Sequence, residues 1–380
     1  MTLVVALTIN ELPVLIGDVV LSGAELDRAI SIPTIGDVSQ IFPEGSGWTI
    51  TELRQKINII ARNLVIGWTG SYVAAKTIIS ELKIKSDLEL FTRKSLREFF
   101  EDKNTKEWIA SQEVAFVGYI QDLDGIEAFN YSFNNCICIN FKSHKYGDIT
   151  LCGTGSSDME ELIKKIVRRS SKVSKDLSEF DNVVIDTLSF CGWLFAYEMA
   201  TYESLFQFYG GAYEIVTYVD DKFQKLKEIT YLFWWIIPNK NTSIISRGFK
   251  VAYVNDILFV YTIEFDNSAE SIYVNNENIA RFGIDDIKIH YVAPLYKNLD
   301  ENTLIKIPGL NSKFNSNYLF FISNIAGVDN LDNIFCVPTQ ATNLESNPVR
   351  FIDEGNKTLL EVDISFLETL VNTANDSVKS

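Results

Sequence analysis

The order of strand-like and helix-like segments is the feature that most constrains the fold of this chain. Over about residues 2–225, strands are followed by two helices, further strands, two more helices and a return to strand. A βαβ winding alternates single helices with parallel strands, so helices in adjacent pairs do not fit it. The order predicts an α+β fold, in which two sheets pack together between layers of helices.

Local sequence patterns give the bounds of these strands and helices, and they show a change to β-rich sequence in the last part of the chain. Apolar runs with many β-branched residues predict strands over Thr2–Ile9 and Leu12–Leu21, and Ser71 is a predicted helix cap. The predicted helices cover Tyr72–Lys83, Ser95–Ser111, Ser157–Val173 and Val183–Phe206. After about Glu228 the segments become β-rich, with a helical pattern only at Ile364–Thr373. We therefore predict two domains, 1–228 and a β-rich domain over 229–380 whose role the pattern does not indicate.

Composition excludes several classes of partner. The net charge of −16 argues against nucleic acid, because phosphate contacts require clustered Lys and Arg. The most apolar window, Tyr231–Pro238, is too short to cross a membrane. No signal peptide is apparent, since the first positive residue is Arg28 and acidic residues interrupt the apolar start. These features predict a cytoplasmic protein without a membrane partner.

The cysteines and histidines do not form a recognisable metal or disulfide pattern. Five cysteines in 380 residues are too few and too scattered for a disulfide framework. Cys136 and Cys138 alternate within a predicted strand, which favours burial on one face over metal binding. The two histidines, His144 and His290, have no ligand set near them in sequence. We expect no metal and no cofactor.

Thr2 is the first candidate catalytic residue. Methionine aminopeptidase removes Met1 when the following residue is small, and Thr2 would then carry both a hydroxyl and a free α-amino group. Such an amine titrates at roughly 7.7–8.0. Near neutral pH it is partly a free base that can take the proton of the hydroxyl.

Further features follow Thr2 in a fixed order. Asp18 lies in the apolar segment Ile16-Gly-Asp-Val-Val-Leu-Ser22, and Lys56 begins a strand-rich segment that ends at Gly70. Gly153-Thr-Gly-Ser156 joins a predicted strand to a predicted helix. Over about residues 2–225 this arrangement resembles the proteasome β-subunit family of N-terminal nucleophile (Ntn) hydrolases. The resemblance implies a four-layer αββα sandwich, to which the β-rich C-terminal domain is added.

The resemblance also implies roles for particular residues. It implies that Thr2 is the nucleophile and that the side chains of Asp18 and Lys56 lie against it. It further implies that the Gly70 N–H forms the oxyanion hole and that Ser156 lies near the threonine amine. Ser22 matches the residue whose backbone pairs with the extended substrate. The chemistry is consistent, because a Lys56 ammonium would lower the pKa of an adjacent amine and hydroxyl. A structural alternative remains open, in which Asp18 and Lys56 form only an ion pair and Gly70 and Ser156 only begin helices.

Some positions depart from the family. Phe206 and Tyr209 stand where the family has an aspartate and a serine, and Val20 stands where it has an arginine. Glu203, about one helical turn before Phe206, is the nearest acid that could substitute. The segment between Asp18 and Lys56 is also longer than in the family. These departures bear on peptidase activity more than on the fold.

The expected function is a threonine-type hydrolase of amide bonds, most simply a peptidase acting on a polypeptide. The rings of the family imply a homo-oligomer, with an ATPase or adaptor as its partner. A different class of function is a catalytically decayed, proteasome-like structural or binding protein that acts through the C-terminal β domain. A third is an amidase or acylase of small molecules on the same fold.

The hydrolase mechanism predicts that active protein lacks Met1, because an amine that is part of a peptide bond cannot act as a base. Intact-mass measurement and N-terminal sequencing of an active preparation should return Thr-Leu-Val. An active preparation that returns only Met-Thr-Leu would contradict the mechanism.

Overall fold

The computed structural model describes residues 2–24, 30–43, 45–88, 90–134, 136–167, 178–237, 242–266, 272–274, 279–297, 318–325, 335–340, 349–354 and 357–368. The chain divides into two compact units. The first comprises Met1–Thr187, Thr201–Leu226 and Val292–Leu299, and the second comprises Leu188–Ala200, Lys227–Tyr291 and Asp300–Ser380. The main change of unit thus falls between Leu226 and Lys227, and each unit also takes one segment from the sequence range of the other.

The described residues of the first unit form two large sheets and two small ones. Its strands are β1 (Leu3–Ile9), β2 (Leu12–Asp18), β3 (Val20–Ala24), β4 (Ser31–Ile32), β5 (Gly36–Asp37), β6 (Trp48–Leu53), β7 (Ile57–Ala61), β8 (Leu64–Gly70), β9 (Val114–Asp122), β10 (Gly125–Phe133), β11 (Cys138–Ser143), β12 (Gly147–Gly153), β13 (Tyr213–Val219) and β14 (Lys222–Lys225). One sheet has the order β11-β12-β1-β2-β13-β14 and the other β10-β9-β8-β7, while β3 pairs with β6 and β4 with β5.

A hydrophobic core joins the two large sheets face to face. Val4 and Leu15 of one sheet pack with Val65 and Val117 of the other, and all four are buried. The opposite face of β8 is also covered, because Trp68 belongs to a second core with the neighbouring helices. Strands buried on both faces need continuous apolar runs, which is why β1 and β8 read that way in the sequence.

The helices are α1 (Tyr72–Ser86), α2 (Arg93–Glu101), α3 (Lys103–Ala110), α4 (Ser156–Val167), α5 (Glu179–Thr201) and α6 (Glu203–Phe206). α1 packs on β7 and β8, and α4 packs on β11 and β12. Ser71 caps α1, as predicted, by accepting the Ala74 N–H. Among the helices that the structure describes, one, Phe180–Thr201, is long and apolar enough to cross a membrane, and 61% of its most apolar window is buried within the structure.

The described residues of the second unit form a nine-stranded sheet. Its strands are β15 (Ile229–Ile237), β16 (Thr242–Val254), β17 (Ile257–Phe265), β18 (Ile272–Val274), β19 (Ile279–Val292), β20 (Tyr318–Ile325), β21 (Phe335–Gln340), β22 (Val349–Glu354) and β23 (Lys357–Asp363), in the order β21-β20-β15-β16-β17-β19-β23-β22 with β18 on β19. Phe195 of α5 packs against Tyr231 and Phe249 of this sheet. A short helix follows at 364–368.

Two predicted helices differ in the structure. The helix predicted at Ser95–Ser111 is two helices, because the Asp102 carboxylate accepts N–H groups at the start of α3 and begins a new helix there. The helix predicted over Val183–Phe206 ends at Thr201, since Tyr202 adopts a left-handed conformation with φ 58°. The predicted residues 168–173 and 369–373 lie outside the described residues.

The expectation about the cysteines was wrong in one respect. Cys138 and Cys152 are directly opposite each other on β11 and β12 and form a disulfide. Their pairing depends on strand register, which the spacing of the cysteines does not reveal. Cys136 lies outside β11 and is a buried free thiol. Because disulfides are rare in cytoplasmic proteins, the cytoplasmic location stays a prediction.

Gly153 provides a test of this packing. Its φ is +110°, and a Cβ atom there would lie 1.9 Å from the Thr2 carbonyl oxygen. We expect Gly153→Ala to lower the free energy of unfolding by about 3 kcal/mol or more, from backbone strain and a clash with main chain. Gly36→Ala is the matched control, since its φ is +79° with open space around it. The control should cost only about 1 kcal/mol in chemical denaturation. Equal losses in the two variants would contradict the close approach of β12 to Thr2.

Candidate active site

The Asp18 carboxylate is the centre of the candidate site. It ends β2, is fully buried, and accepts the Thr2 hydroxyl and the Leu3 N–H (2.9 Å) on Oδ1. Its Oδ2 accepts the N–H groups of Val20 (3.0 Å) and Gly210 (3.1 Å). Burial raises the pKa of Asp18, and the charge of Lys56 and the donated hydrogen bonds oppose that rise. One side chain therefore connects the starts of β1 and β3 and the turn before β13.

Lys56 is the second charged group of the site. Its side chain is fully buried, and Nζ lies 4.3 Å from the centre of the Trp68 ring. Within the described part of the chain, Nζ has no hydrogen-bond partner. Burial lowers the pKa of Lys56 to about 8, against the opposing charges of Asp18 and Glu214. Close to neutral pH the amine can thus change protonation state, which a surface lysine does not do.

Gly17 makes room for Lys56. A Cβ atom at Gly17 would lie 3.0 Å from the Lys56 Cβ and 2.9 Å from Ile57 Cγ1. The missing side chain lets the start of β7 pack closely on β2, directly beside Asp18. The glycine is therefore a requirement of the close approach between the two strands that carry the charged pair.

Ser156 reaches Thr2 through the intervening backbone. Its hydroxyl is buried and donates to the Gly153 carbonyl oxygen (2.7 Å), and Gly153 pairs with Leu3 in the β1–β12 register. The serine thus fixes the end of β12, which lies against the Thr2 carbonyl. This contact is local to the connection between β12 and α4, and the role of Ser156 near the threonine amine stays a prediction.

Gly70 and Ser22 lie at the ends of neighbouring elements. Gly70 is the last residue of β8, immediately before the α1 cap, and its backbone lies against the Glu113 carbonyl oxygen. Ser22 is on β3 beside a register shift, opposite Ile50 of β6. The Ser22 hydroxyl is buried and has no hydrogen-bond partner among the residues that the structure describes. Their roles as oxyanion donor and substrate contact stay predictions.

Tyr209, Phe206 and Val20 are the positions where the sequence differs from the Ntn hydrolases that it resembles. Tyr209 is fully buried, and its ring packs closely on Gly155. A Cβ atom at position 155 would lie 2.4 Å from the Tyr209 Cδ1 atom. Phe206 is 54% exposed. Val20 is buried, and only its main chain contributes to the site, by donating to Asp18. Glu203 is exposed and its charge acts on Asp158, so it is not among the groups that surround Asp18.

Sequence reasoning missed Glu214, a fully buried carboxylate of β13. Its Oε2 accepts the N–H groups of Lys56 (2.6 Å) and Ile57 (3.2 Å), and its Oε1 pairs with Lys225 Nζ (2.8 Å). Burial raises the pKa of Glu214, and the Lys225 charge opposes the rise. The signal was present in the sequence, since Glu214 is the one charged residue within the apolar run Ala212–Thr217.

The described residues contain no group of three or more His, Cys, Asp or Glu side chains that could hold an ion. The site instead combines a hydroxyl, a carboxylate and an amine, the groups used in acyl transfer without a metal.

The lowered pKa of Lys56 predicts how stability depends on pH. Between about pH 8 and 10.5 the unfolded lysine keeps its proton while the folded one loses it, so the folded state gains stability as pH rises. The free energy of unfolding of wild type minus that of Lys56→Met should therefore increase across this window, by roughly 3 kcal/mol in total.

Urea denaturation at several pH values measures this difference. Lys142→Met, at a lysine whose side chain is 83% exposed, is the control and should follow the wild-type profile. A constant difference between wild type and Lys56→Met from pH 8 to 10.5 would contradict the lowered pKa.

Comparison with known proteins gives no family for this chain. No protein-family model matches it, and no curated protein sequence matches it. The assignment of a function therefore depends on the geometry around Asp18.

Proposed function

We propose that this chain is a threonine-type N-terminal nucleophile hydrolase that cleaves amide bonds, with a polypeptide as substrate. The observation that carries the proposal is the hydrogen bond from the Thr2 hydroxyl to Asp18, in a buried site shared with Lys56. The Thr2 hydroxyl is held by a buried carboxylate, and the charge of Lys56, whose pKa is about 8, acts on that same carboxylate. Such ionisable neighbours are used to activate a weak nucleophile.

The mechanism begins with loss of Met1, which gives Thr2 a free amine. The Thr2 oxygen attacks the carbonyl carbon of the substrate, and its proton passes to that amine, which acts as general base. The carbon–nitrogen bond then breaks, and the same proton passes to the departing amine. Water then hydrolyses the ester between the Thr2 oxygen and the acyl part of the substrate. This releases the carboxylic acid product and regenerates the Thr2 hydroxyl. Lys56 and Asp18 set the charge around these transfers.

Two further features support a peptide substrate. In the described part of the chain β3 pairs only with β6, so one of its edges has no partner strand. An extended peptide can add to such an edge by main-chain hydrogen bonds. Ser22 lies on β3 with an unpartnered hydroxyl, and Gly70 precedes α1, where the helix dipole favours an oxyanion.

The layer order supports the proposed family. Two sheets pack face to face, with α1 outside one and α4 outside the other, which is the order of an αββα Ntn sandwich. By the same analogy we propose a homo-oligomeric ring with an ATPase or adaptor partner.

Two observations favour a second candidate, a catalytically decayed structural or binding protein. Thr2 is fully buried, and Tyr209 fills space beside Gly155 where the family has a serine. In this function the Asp18 and Lys56 pair only stabilises the fold, and the β-rich second unit carries the binding. The two candidates differ in whether Thr2 reacts.

A β-lactone probe that acylates threonine distinguishes the two candidates. Wild-type protein should gain the mass of one probe on Thr2, and Thr2→Ala should lose labelling and peptide hydrolysis by about 10³-fold or more, because the nucleophile is gone. Thr2→Ser is the matched control, since it keeps a hydroxyl beside Asp18 and should still be labelled.

All three proteins should have similar circular dichroism spectra, and Thr2→Ala should melt at a lower temperature because the buried Asp18 carboxylate loses one donor. Wild-type protein without Met1 that takes up no probe, or Thr2→Ala that keeps its activity, would reject the hydrolase and favour the second candidate.

A further inference from the structure

The buried carboxylate of Glu214 lies next to the candidate site without touching any reacting group. It is fully buried, yet none of the roles implied by the family falls on it. Both of its oxygens are engaged, Oε2 by the N–H groups of Lys56 and Ile57, and Oε1 by Lys225. Burying a carboxylate is costly unless charge and hydrogen bonds compensate it, so this arrangement needs an explanation.

The contacts of Glu214 hold the main chain of Lys56 on one side. The Lys56 N–H donates to Glu214 (2.6 Å), while its carbonyl oxygen accepts the Trp68 N–H (3.1 Å). The peptide groups on both sides of the Lys56 Cα are therefore fixed, and the Trp68 ring is held beneath the Nζ by the same strand pairing. Without the carboxylate, two buried N–H groups would lose their acceptor.

Glu214 is itself held by neighbours outside the candidate site. It lies opposite Gly17 in the β13–β2 register, one position from Asp18. Lys225, its counter-charge, also donates to the Gln55 side chain, and Gln55 Nε2 donates to the Val292 carbonyl oxygen (2.7 Å). The carboxylate is thus anchored from two directions and can determine where β7 begins.

We propose that Glu214 is a positioning residue for Lys56. The Glu214 carboxylate holds the start of β7 and thereby sets the placement and charge of the Lys56 side chain near Asp18. The inference rests on the proposed hydrolase function for its catalytic meaning. Its structural content, that Glu214 determines the state of Lys56, does not depend on activity. The charged groups that act on Lys56 are Asp18, Glu214, Glu52 and Arg54.

The test is a titration of Lys56 followed by NMR in full-length protein with isotope-labelled lysine side chains. The Lys56 signal is identified by its loss in Lys56→Met. In Glu214→Gln the amide keeps an oxygen that can accept an N–H but removes the negative charge, so the pKa of Lys56 should fall below the wild-type value of about 8. Labelling of Thr2 by the β-lactone probe should slow in the same variant.

Glu361→Gln is the matched control, since Glu361 is also a buried carboxylate paired with basic side chains, Arg281 and Arg350, in the second unit. It should leave the titration of Lys56 and the rate of labelling unchanged. If Glu214→Gln does not fold, the double variant Glu214→Gln/Lys225→Met removes the pair together and avoids an unpaired buried ammonium. The double variant should also lower the pKa of Lys56.

The outcomes separate this inference from the proposed function. A Lys56 titration that is unchanged in Glu214→Gln, or shifted equally by Glu361→Gln, overturns the positioning role even if the protein is an active hydrolase. A downward shift confined to the Glu214 variants supports the positioning role. If wild type then takes up no probe, the positioning role stands and the hydrolase function fails.

Discussion

The first unit depends on one buried carboxylate. Asp18 is fully buried, and it accepts hydrogen bonds from the main chain of three different segments and from the Thr2 hydroxyl. A carboxylate that accepts several donors is stable in such a place only if they stay in position together. The first residues of β1 and β3 and the turn before β13 are therefore fixed relative to one another. The same carboxylate orients the hydroxyl of the candidate nucleophile.

A second buried carboxylate repeats this arrangement on the neighbouring strand of the same sheet. Glu214 holds the main chain at Lys56, as Asp18 holds the main chain at Leu3 and Val20. Each acid has a lysine as its electrostatic partner, Lys56 for Asp18 and Lys225 for Glu214. Gly17, next to Asp18 in sequence and opposite Glu214 in the sheet, has no side chain, so Lys56 can pack against the backbone of the strand that carries Asp18.

Much of the first unit was predictable from its sequence because local patterns and burial agree there. The β1–β2 hairpin, the cap at Ser71 and the strands around Gly70 follow from residue periodicity and turn chemistry. The proximity of Thr2 to Asp18 was predicted only through the resemblance. The role of Glu214 was not predicted, because a single acid in an apolar strand does not reveal which N–H groups will meet it. The split at Asp102 was missed because one carboxylate can cap a helix within a helical pattern.

The sequence by itself determined the order and type of most elements in the first unit, since periodicity of apolar residues is a local property of the chain. It also determined which residues can ionise or act as nucleophiles. Only the tertiary structure decided that Cys138 faces Cys152, that Lys56 is enclosed over Trp68, and that Glu214 meets the start of β7. These contacts join residues distant in sequence, and they depend on strand register and on the desolvation that packing imposes, neither of which a local pattern contains.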